Sequence, residues 1–477
     1  MRIETMRAIT TAFTLSLALG CGMLAPRAAW KEEPPAPVEN PIVSADDLHR
    51  VKLPNGVQLI LLEDRRLPRI SLGLTLRRGA GSVDPAIAGV AELATEVMQR
   101  GAGDRDALAL AKVVEDIGAS LSVSSGWDST TISLSGLSED LALLVEIMND
   151  VALRPRFDEG EFLKARAEQQ AGIVAAQDDP ATLIRWNAIR ALYPEHRYGL
   201  PQSGTPETID HLDVDAVRAY WTDRFIPKNT ILWAVGDFSA EALVPEFRSV
   251  YGELSDAAQI PGIPPPPART PESRRIIVVD KPELLQARII LAHEGIARRE
   301  PTRIAVDLMN DVLGGSGFSS RMMKRIRSDE GLTYGVSSGF SLRSQAGPFS
   351  VSTFTRVAKV RRVVDLILEE IEAIRGDRPV TEEELTKFIS YNVGRFGLSL
   401  ETSDSVLASL VDLEVHDLPE DALDTYRARV RATSLKDVAD AARLRLHPDR
   451  AAIVVLGPAE VLVPELEDLG AVEVWNP

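Results

Sequence analysis

Apolar and polar residues along this chain follow two different periods, which predict a mixture of strands and helices. Short segments such as 120–123 and 131–134 alternate at every second position, as half-buried strands do. Longer segments such as 141–153 and 162–176 place apolar residues three or four positions apart, the spacing of an amphipathic helix. Asn55-Gly56, between apolar runs, predicts a β-hairpin. Strands and helices in this uneven order indicate an α+β fold with helices covering one face of a sheet.

The same order of elements occurs twice, which predicts two similar domains. A strand at 275–280 opens the second half, and the strands at 230–237 and 451–457 close the two halves. A proline run at 264–267 separates them, and 477 residues are enough for two domains of about 200 residues each. We therefore expect an N-terminal domain at 46–258, a proline-rich linker at 259–273 and a C-terminal domain at 274–477.

The N-terminus predicts export to the cell envelope. Arg2 and Arg7 precede an apolar run at 8–20 that is too short to span a bilayer, so residues 1–21 read as a signal peptide and 22–45 as a proline-rich tether. Cys21, the only cysteine, leaves two alternatives open: acylation as in a lipoprotein, or cleavage by ordinary signal peptidase. Both alternatives predict the periplasm, and the first adds membrane attachment through the acylated Cys21.

The acidic charge balance argues against a nucleic acid partner and says little about other partners. The chain has 53 basic and 70 acidic residues, a formal net charge of −17. Nucleic acid binding needs a basic surface, so we expect no nucleic acid partner. A lone cysteine also excludes an internal disulfide.

The segment 89–98 and its surroundings resemble the pitrilysin and insulinase family of inverted-motif zinc metallopeptidases. The resemblance rests on a predicted strand at 77–84, on Gly89-Val90-Ala91, and on the end of the helix near Met98 and Gly101. It extends over nearly all of residues 46–457. In that family His-x-x-Glu-His on one helix binds zinc and supplies the general base. The resemblance implies a degenerate zinc site here, because the matching positions hold the four residues Glu92, Thr95, Glu96 and, for the third ligand on a later helix, Gly172.

A second part of the resemblance concerns substrate binding. Residues 314–321 and 325–334 match the family's substrate-side Arg-x6-Tyr pair without gaps, as Arg327 and Tyr334. Such a pair offers a guanidinium and a phenol to a peptide carbonyl and to the oxyanion formed from it. In some bacterial members the zinc motif and this pair lie on two chains, and this sequence resembles the second kind. The resemblance implies two homologous pitrilysin-like domains, each an antiparallel sheet covered by helices, forming a clamshell.

The leading hypothesis is therefore a zinc-deficient, non-catalytic subunit that binds peptide substrates through Arg327 and Tyr334. It binds no cofactor itself, and zinc is expected on a partner subunit that bears the zinc motif. The alternative is a non-enzymatic scaffold or peptide-binding protein of the cell envelope with the same fold. Under that alternative Arg327 and Tyr334 only pack and pair on the surface.

Other chemistry is less well supported by the sequence. Glu92 and Glu96 lie four residues apart on one helix face, but two carboxylates suit only a weakly bound hard cation. There is no Gly-x-Ser-x-Gly nucleophile motif. Gly314 to Gly317 lack a following P-loop lysine and predict a tight turn ahead of a helix at Ser319. Six histidines are scattered without metal-ligand spacing: His49, His196, His211, His293, His416 and His447.

Overall fold

The N-terminal half is built on a six-stranded sheet in the computed structural model, which describes residues 47–255, 264 and 273–477. The signal peptide, Cys21, the tether and most of the linker lie outside the described residues. The strands of this first sheet are β1 (Leu48–Lys52), β2 (Gln58–Glu63), β3 (Arg69–Leu76), β6 (Ser120–Ser125), β7 (Thr130–Leu137) and β8 (Thr230–Gly236). A separate two-stranded ribbon contains β4 (Gly101–Ala102) and β5 (Arg105–Asp106). The predicted hairpin is confirmed, since β1 pairs antiparallel with β2.

The C-terminal half repeats the strand order of the first sheet. Its strands are β9 (Arg275–Asp280), β10 (Gln286–Glu294), β11 (Val336–Phe340), β12 (Pro348–Arg356), β13 (Ala452–Gly457) and β14 (Val472–Trp475). The first sheet runs β1-β2-β8-β3-β7-β6, and the second runs β14-β9-β13-β10-β12-β11. From β2 and β9 onward the strands therefore correspond one to one, which confirms that the halves are copies.

The expectation of antiparallel sheets needs a correction, because both sheets are mixed. β2 pairs parallel with β8, and the matching strands β9 and β13 are also parallel. The edge strand β14 is parallel to β9 as well. The other pairings of each sheet are antiparallel. The closing strand of each half comes back over helices and not through a tight turn, and a connection of that kind permits parallel pairing.

Helices cover the sheets in both halves. Those of the first half are α1 (Val90–Met98), α2 (Ala107–Asp116), α3 (Leu141–Leu153), α4 (Glu159–Asp178), α5 (Pro180–Leu192), α6 (Pro206–Asp210), α7 (Val214–Arg224) and α8 (Ala240–Tyr251). Those of the second half are α9 (Arg303–Asn310), α10 (Val360–Arg375), α11 (Glu382–Leu398), α12 (Ser403–Val415), α13 (Ala422–Ala432), α14 (Leu435–Arg445) and α15 (Ala459–Leu466). No helix among the described residues has the length and apolar character needed to cross a bilayer.

The two halves exchange one helix each. α5, which follows the long helix α4, packs on β10 and β13 of the second sheet and shares an apolar core with them. α12, which follows the long helix α11, lies on β2, β3 and β8 of the first sheet. This exchange packs the two halves directly against each other. It leaves a cleft of about 530 Å³ between α12 and the first sheet.

Two local expectations were wrong. The strand expected at 77–84 is absent, because β3 ends at Leu76 and a 3-10 turn follows at Ala80–Ser82. A Cβ at Gly79 would lie 2.3 Å from the Gly126 carbonyl oxygen, so the chain passes too close to a loop for a regular strand.

The glycine-rich segment also differs from the expected tight turn. Gly314 and Gly315 end a π-helical segment, Asp311–Gly315, that continues α9. Gly317 then adopts a positive φ of 61° at the start of a short 3-10 helix, Gly317–Ser319, and α-helical conformation resumes at Arg321. A Cβ at Gly314 would lie 2.5 Å from the Ser338 hydroxyl, which explains the need for glycine there.

Candidate functional site

Helix α1, which carries the degenerate motif, is fixed at its start by Gly89. This residue has a φ of 98°, and a Cβ would lie 2.4 Å from the Ile209 Cδ1 atom and 2.6 Å from the Ser203 carbonyl oxygen. Thr95 lies on the buried face of the helix, where its hydroxyl donates a hydrogen bond of 2.9 Å to the Glu92 carbonyl oxygen. Thr95 therefore satisfies its own helix and does not project into an open site.

A cavity of about 400 Å³ lies beside α1 and α4. Its lining includes Glu92 and Glu96 from α1, and Glu168 and Gly172 from α4. A Cβ built on Gly172 meets nothing within 4 Å, so this position opens into free space. The structure thus brings together three of the four predicted degenerate positions, while Thr95 is not part of the lining.

Arg100 provides the positive charge of this region. Its guanidinium donates to the Glu96 carboxylate at 2.7 Å and to the Glu168 carboxylate at 2.5 Å. Glu161 lies 3.9 Å from the same guanidinium. One arginine therefore links Glu96 of α1 to Glu168 of α4, and charge-assisted hydrogen bonds of this kind are stronger than neutral ones.

Glu92 is the carboxylate of the cavity that Arg100 does not bind. Loss of surrounding water, followed by repulsion from Glu96, raises the pKa of Glu92 above its ordinary value, and Arg197 acts in the opposite direction. Glu92 is therefore easier to protonate than a freely solvated glutamate.

These residues do not fit a zinc ion. Zinc sites use imidazole, thiolate and carboxylate donors in a tetrahedral arrangement. Here Glu96 is engaged by Arg100, Thr95 is engaged by its own helix, and Gly172 has no side chain. Among residues 47–255 and 273–477, no group of three or more His, Cys, Asp or Glu side chains is placed to hold a metal ion.

Arg100 and Glu168 are site residues that the sequence reasoning missed. Two signals were present: Glu96 and Arg100 are four residues apart on α1 and its C-terminal end, and Glu168 is four residues before Gly172 on α4. Side chains at this spacing share a helix face. The pairing of Arg100 with α4 itself depends on tertiary packing.

Arg327 and Tyr334 lie close together on the second half. Arg327 belongs to a π-helical segment, Met323–Asp329, and the chain then turns at Gly331 with a φ of 62°. The turn returns Tyr334 to Arg327, whose Nη1 atom donates a 2.7 Å hydrogen bond to the Tyr334 carbonyl oxygen. The contact is therefore made to the backbone of Tyr334, and its phenol ring is left for other contacts.

An exposed aromatic pair flanks this arginine. The ring of Phe318 lies 4.4 Å from the Arg327 Cζ atom, a cation–π distance. Tyr334 is 74% exposed and Phe318 is 71% exposed. Within the part of the chain that the structure describes, no carboxylate lies within ion-pair distance of Arg327. We call Phe318, Arg327 and Tyr334 the aromatic-arginine surface.

The aromatic-arginine surface and the degenerate cavity belong to different halves of the chain. None of Phe318, Arg327 and Tyr334 lines the cavity beside α1. The chain therefore presents a guanidinium and a phenol at one place and a cavity lined by Glu92, Glu96 and Glu168 at another.

Two of the scattered histidines come together in the fold. His293 and His447 have ring centroids 5.3 Å apart, and the His447 backbone N–H donates to the His293 Nε2 atom at 3.1 Å. The other His293 nitrogen donates to the Glu294 carbonyl oxygen at 2.7 Å. Both nitrogens of this buried ring are thus used by the backbone, as expected of a structural histidine.

Two regions of the chain match known protein families. Residues 59–205 match the family described as Insulinase (Peptidase family M16). Residues 211–390 match the family described as Peptidase M16 inactive domain.

Curated relatives have similar length but low identity. An uncharacterized zinc protease of Streptomyces coelicolor is 23% identical over 414 residues, which cover 86% of this chain and 90% of the relative. The uncharacterized zinc protease YmxG of Bacillus subtilis is 23% identical over 412 residues, covering 86% of this chain and 98% of the relative.

Solved structures share the fold. A peptidase M16 inactive domain from Pseudomonas fluorescens superposes with a TM-score of 0.79 at 24% identity, covering 86% of this chain and 98% of that one. A protease from Helicobacter pylori superposes with a TM-score of 0.77 at 19% identity, covering 86% and 99%. These likenesses establish the architecture of two sheets covered by helices.

Proposed function

The chain belongs to the insulinase and pitrilysin family of peptidases, family M16, and on that premise we propose that it is the zinc-deficient subunit of a heterodimeric metalloendopeptidase. In this proposal a partner chain carries the zinc ion and the general base. This chain binds the peptide substrate and stabilises the oxyanion formed on its carbonyl.

One contrast carries the proposal: among the described residues no group of side chains is placed to hold a metal ion, whereas an arginine without a carboxylate partner lies beside an exposed tyrosine. At the degenerate cavity, Arg100 binds the carboxylates of Glu96 and Glu168. At the aromatic-arginine surface, Arg327 is fixed by a backbone carbonyl and has no carboxylate partner within the described residues. A guanidinium without a counter-charge is suited to an oxyanion, because its remaining N–H groups are free to donate.

Arg327 and Tyr334 would act through preorganisation of the guanidinium group. The hydrogen bond to the Tyr334 carbonyl and the stacking on Phe318 hold the Arg327 guanidinium in one place before substrate arrives. A donor fixed in this way costs little reorganisation when charge develops on the substrate oxygen. The exposed rings of Phe318 and Tyr334 offer apolar contact to the flanking peptide.

The scaffold alternative is not favoured, because both matching families are peptidase families and the curated relatives carry the name zinc protease. It becomes the better explanation if the chain binds peptides but never supports cleavage.

The first experiment measures peptidase activity on a fluorogenic peptide library. The chain is assayed alone, and then with a zinc-motif relative from the same organism, each with and without chelator. We expect activity only in the mixture, and loss of it with chelator. No gain from mixing would contradict the proposal, and chelator-sensitive activity of the chain alone would show that it has its own metal site.

Variants then test the aromatic-arginine surface in the active mixture. Arg327→Ala should lower turnover about a hundredfold, the usual effect of removing one oxyanion donor, and Tyr334→Phe should lower it by a smaller factor. Lys324→Ala and Tyr391→Phe are the matched controls, because both residues are exposed and lie outside that surface. If neither Arg327→Ala nor Tyr334→Phe changes turnover, these two residues have no role in catalysis.

We also propose that the protein is exported to the periplasm, with Cys21 either acylated as in a lipoprotein or left unacylated after cleavage by ordinary signal peptidase. Mass spectrometry of the mature N-terminus tells these forms apart. An N-terminus at Met1 would contradict export by cleavage.

A further inference from the structure

A second cavity, of about 740 Å³, lies in the C-terminal half between α12, α13 and the segment before α9. The apolar residues of its lining, which we call the apolar wall, include Phe396, Leu413, Leu418 and Leu423. The remaining lining is charged and combines four arginines with two acids: Arg298, Arg299, Arg303, Arg429, Glu300 and Asp412. A chain with a formal net charge of −17 therefore has a cavity with an excess of two positive charges.

Two of the four arginines have close carboxylate partners, Arg299 with Asp417 at 2.7 Å and Arg298 with Asp412, whereas Arg303 and Arg429 are less well matched. Asp412 accepts from the Arg298 Nη2 atom at 2.5 Å, but the Nη1 atom of Arg298 is buried and has no hydrogen-bond partner. Arg303 reaches its nearest carboxylate, that of Asp307, at 3.7 Å. Within the described residues, Arg429 makes no ion pair.

The two acids of the lining are also partly committed elsewhere. Glu300 accepts at 2.7 Å from Arg445, which does not line the cavity. The other carboxylate, Asp412, lies 3.4 Å from the His416 Nε2 atom in addition to its bond with Arg298. Asp417 and Asp307, which do not line the cavity, offset part of the positive excess, and Arg429 is left without an ion-pair partner among the described residues.

Repulsion among the cations is visible at Arg303. Burial lowers the pKa of Arg303, and the neighbouring Arg298 and Arg429 lower it further, while Asp307 acts in the opposite direction. An anion in the cavity would relieve this repulsion and would satisfy the free guanidinium donors.

We propose that this cavity binds a carboxylate at the end of an apolar chain. Planar guanidinium groups match a carboxylate with two parallel hydrogen bonds, so the arginines of the lining suit such a ligand. The wall of Phe396, Leu413 and Leu423 removes the apolar part of the ligand from water. Phe396 and Tyr426, with ring centroids 4.4 Å apart, give that wall a rigid aromatic edge.

Two sources share this chemistry: the free C-terminus of a peptide that ends in an apolar residue, and a fatty acid. Neither source requires the zinc-bearing partner or the aromatic-arginine surface. The inference therefore stands apart from the proposed function, and a negative result in the peptidase assay does not bear on it.

The test is isothermal titration calorimetry on the full chain at pH 7. The ligands are octanoate, octanamide, a tetrapeptide ending in leucine with a free carboxylate, and the same tetrapeptide with a C-terminal amide. We expect at least one acid to bind and its amide to bind at least tenfold more weakly. The acid that binds more tightly identifies the source. Equal binding of acid and amide, or no binding of either acid at millimolar concentration, would overturn the proposal.

Variants locate the binding. Arg429→Gln should weaken the better acid about tenfold, because one charge-assisted contact is lost. Arg431→Gln is the matched control, since Arg431 lies on the same helix, is exposed and does not line the cavity. Leu423→Asn should weaken octanoate by removing part of the apolar wall, with folding checked by thermal melting. If Arg429→Gln and Arg431→Gln lower the affinity for the acid equally, binding reflects general attraction to a positive surface, and the proposed site is wrong.

Discussion

Arg100 donates to carboxylates on two helices, Glu96 on α1 and Glu168 on α4, and so places a fixed positive charge beside the degenerate cavity. A cation that is part of the protein uses the carboxylates that a metal would otherwise need. The cavity keeps its shape even so, because Gly89 and the buried face of α1 determine where the helix lies.

Restoring the ligands should therefore restore metal binding. We expect the triple variant Glu92→His, Glu96→His and Gly172→Glu to bind one zinc ion, since a side chain at Gly172 has free space and the first two positions already line the cavity. Zinc content after dialysis measures this. The unmodified chain should retain no zinc, and the variant without Gly172→Glu should bind it more weakly. A triple variant without zinc would show that the cavity lacks the geometry of a metal site.

His293 gives a residue-scale prediction about pH. Burial lowers its pKa to about 3, against a smaller opposing effect from its hydrogen bond to the Glu294 carbonyl. The unfolded chain has the higher pKa, about 6.5, so it takes up the proton first as pH falls. The stability contributed by neutral His293 is therefore fully present above pH 6.5 and is lost as pH falls toward 3.

The matching experiment compares the chain with a His293→Gln variant by urea unfolding at several pH values. The difference in free energy of unfolding should shrink by roughly 2 kcal/mol between pH 7 and pH 5. His211→Gln is the control, because His211 is exposed. A His293→Gln difference that does not change with pH would contradict the assignment.

At the scale of elements, the two exchanged helices attach by different means. α5 packs through apolar side chains such as Leu183 and Ile184 against the second sheet. α12 adds ion pairs: Glu414 accepts from Arg77 at 2.9 Å and from Arg50 at 3.1 Å. Hydroxyl groups of the first sheet face the cleft beside α12, which leaves that contact less apolar than the one made by α5.

Ile184→Ala tests the apolar contact. Ile184 is 2% exposed, and its truncation should lower the free energy of unfolding by about 2–4 kcal/mol, because a cavity forms between α5 and the second sheet. Arg185→Ala, an exposed change on the same helix, should stay within about 0.5 kcal/mol. Urea unfolding measures both variants. Equal effects would mean that α5 is not part of the second half's core.

The sequence predicted the bounds of helices and strands better than it predicted which sheet each helix packs against. The helix at 141–153 and the strand at 275–280 have the bounds that their patterns predicted, because each pattern reports which side of the element is buried. The pattern does not report what covers that side. Ile184 would be equally apolar against either sheet, so the exchange of α5 and α12 could not be predicted.

The same limit applies to the candidate site. The loss of the family's zinc ligands at the positions of Glu92, Glu96 and Gly172 could be read from the sequence, and these residues do line one cavity. The position of Thr95 on the buried face and the role of Arg100 depend on contacts between helices. The carboxylate cavity joins residues 298–303 to 396–429, a grouping that no local motif indicates.

At the scale of the whole molecule, the exchange makes the halves depend on each other. When expressed separately, residues 46–258 and 274–477 should each expose an apolar sheet face and an unpartnered helix, and should aggregate. When co-expressed, they should assemble, and a tag on one half should recover the other. Leu183→Asp in the first half should prevent recovery, because a charge would be buried against the second sheet. A soluble half with a cooperative melting transition of its own would contradict this dependence.

The reciprocal crossing of α5 and α12 also has a kinematic consequence. A hinge between the two halves would have to lift both helices from their sheets in the same movement, uncovering the contacts of Ile184 at one side and of Glu414 at the other. Both the α5 contact and the α12 contact resist such a motion, so the two halves should move together as one rigid body. If a peptide has to be admitted or released, the pivot for that movement lies at the edge of this chain, where it meets another molecule, and not across its own middle.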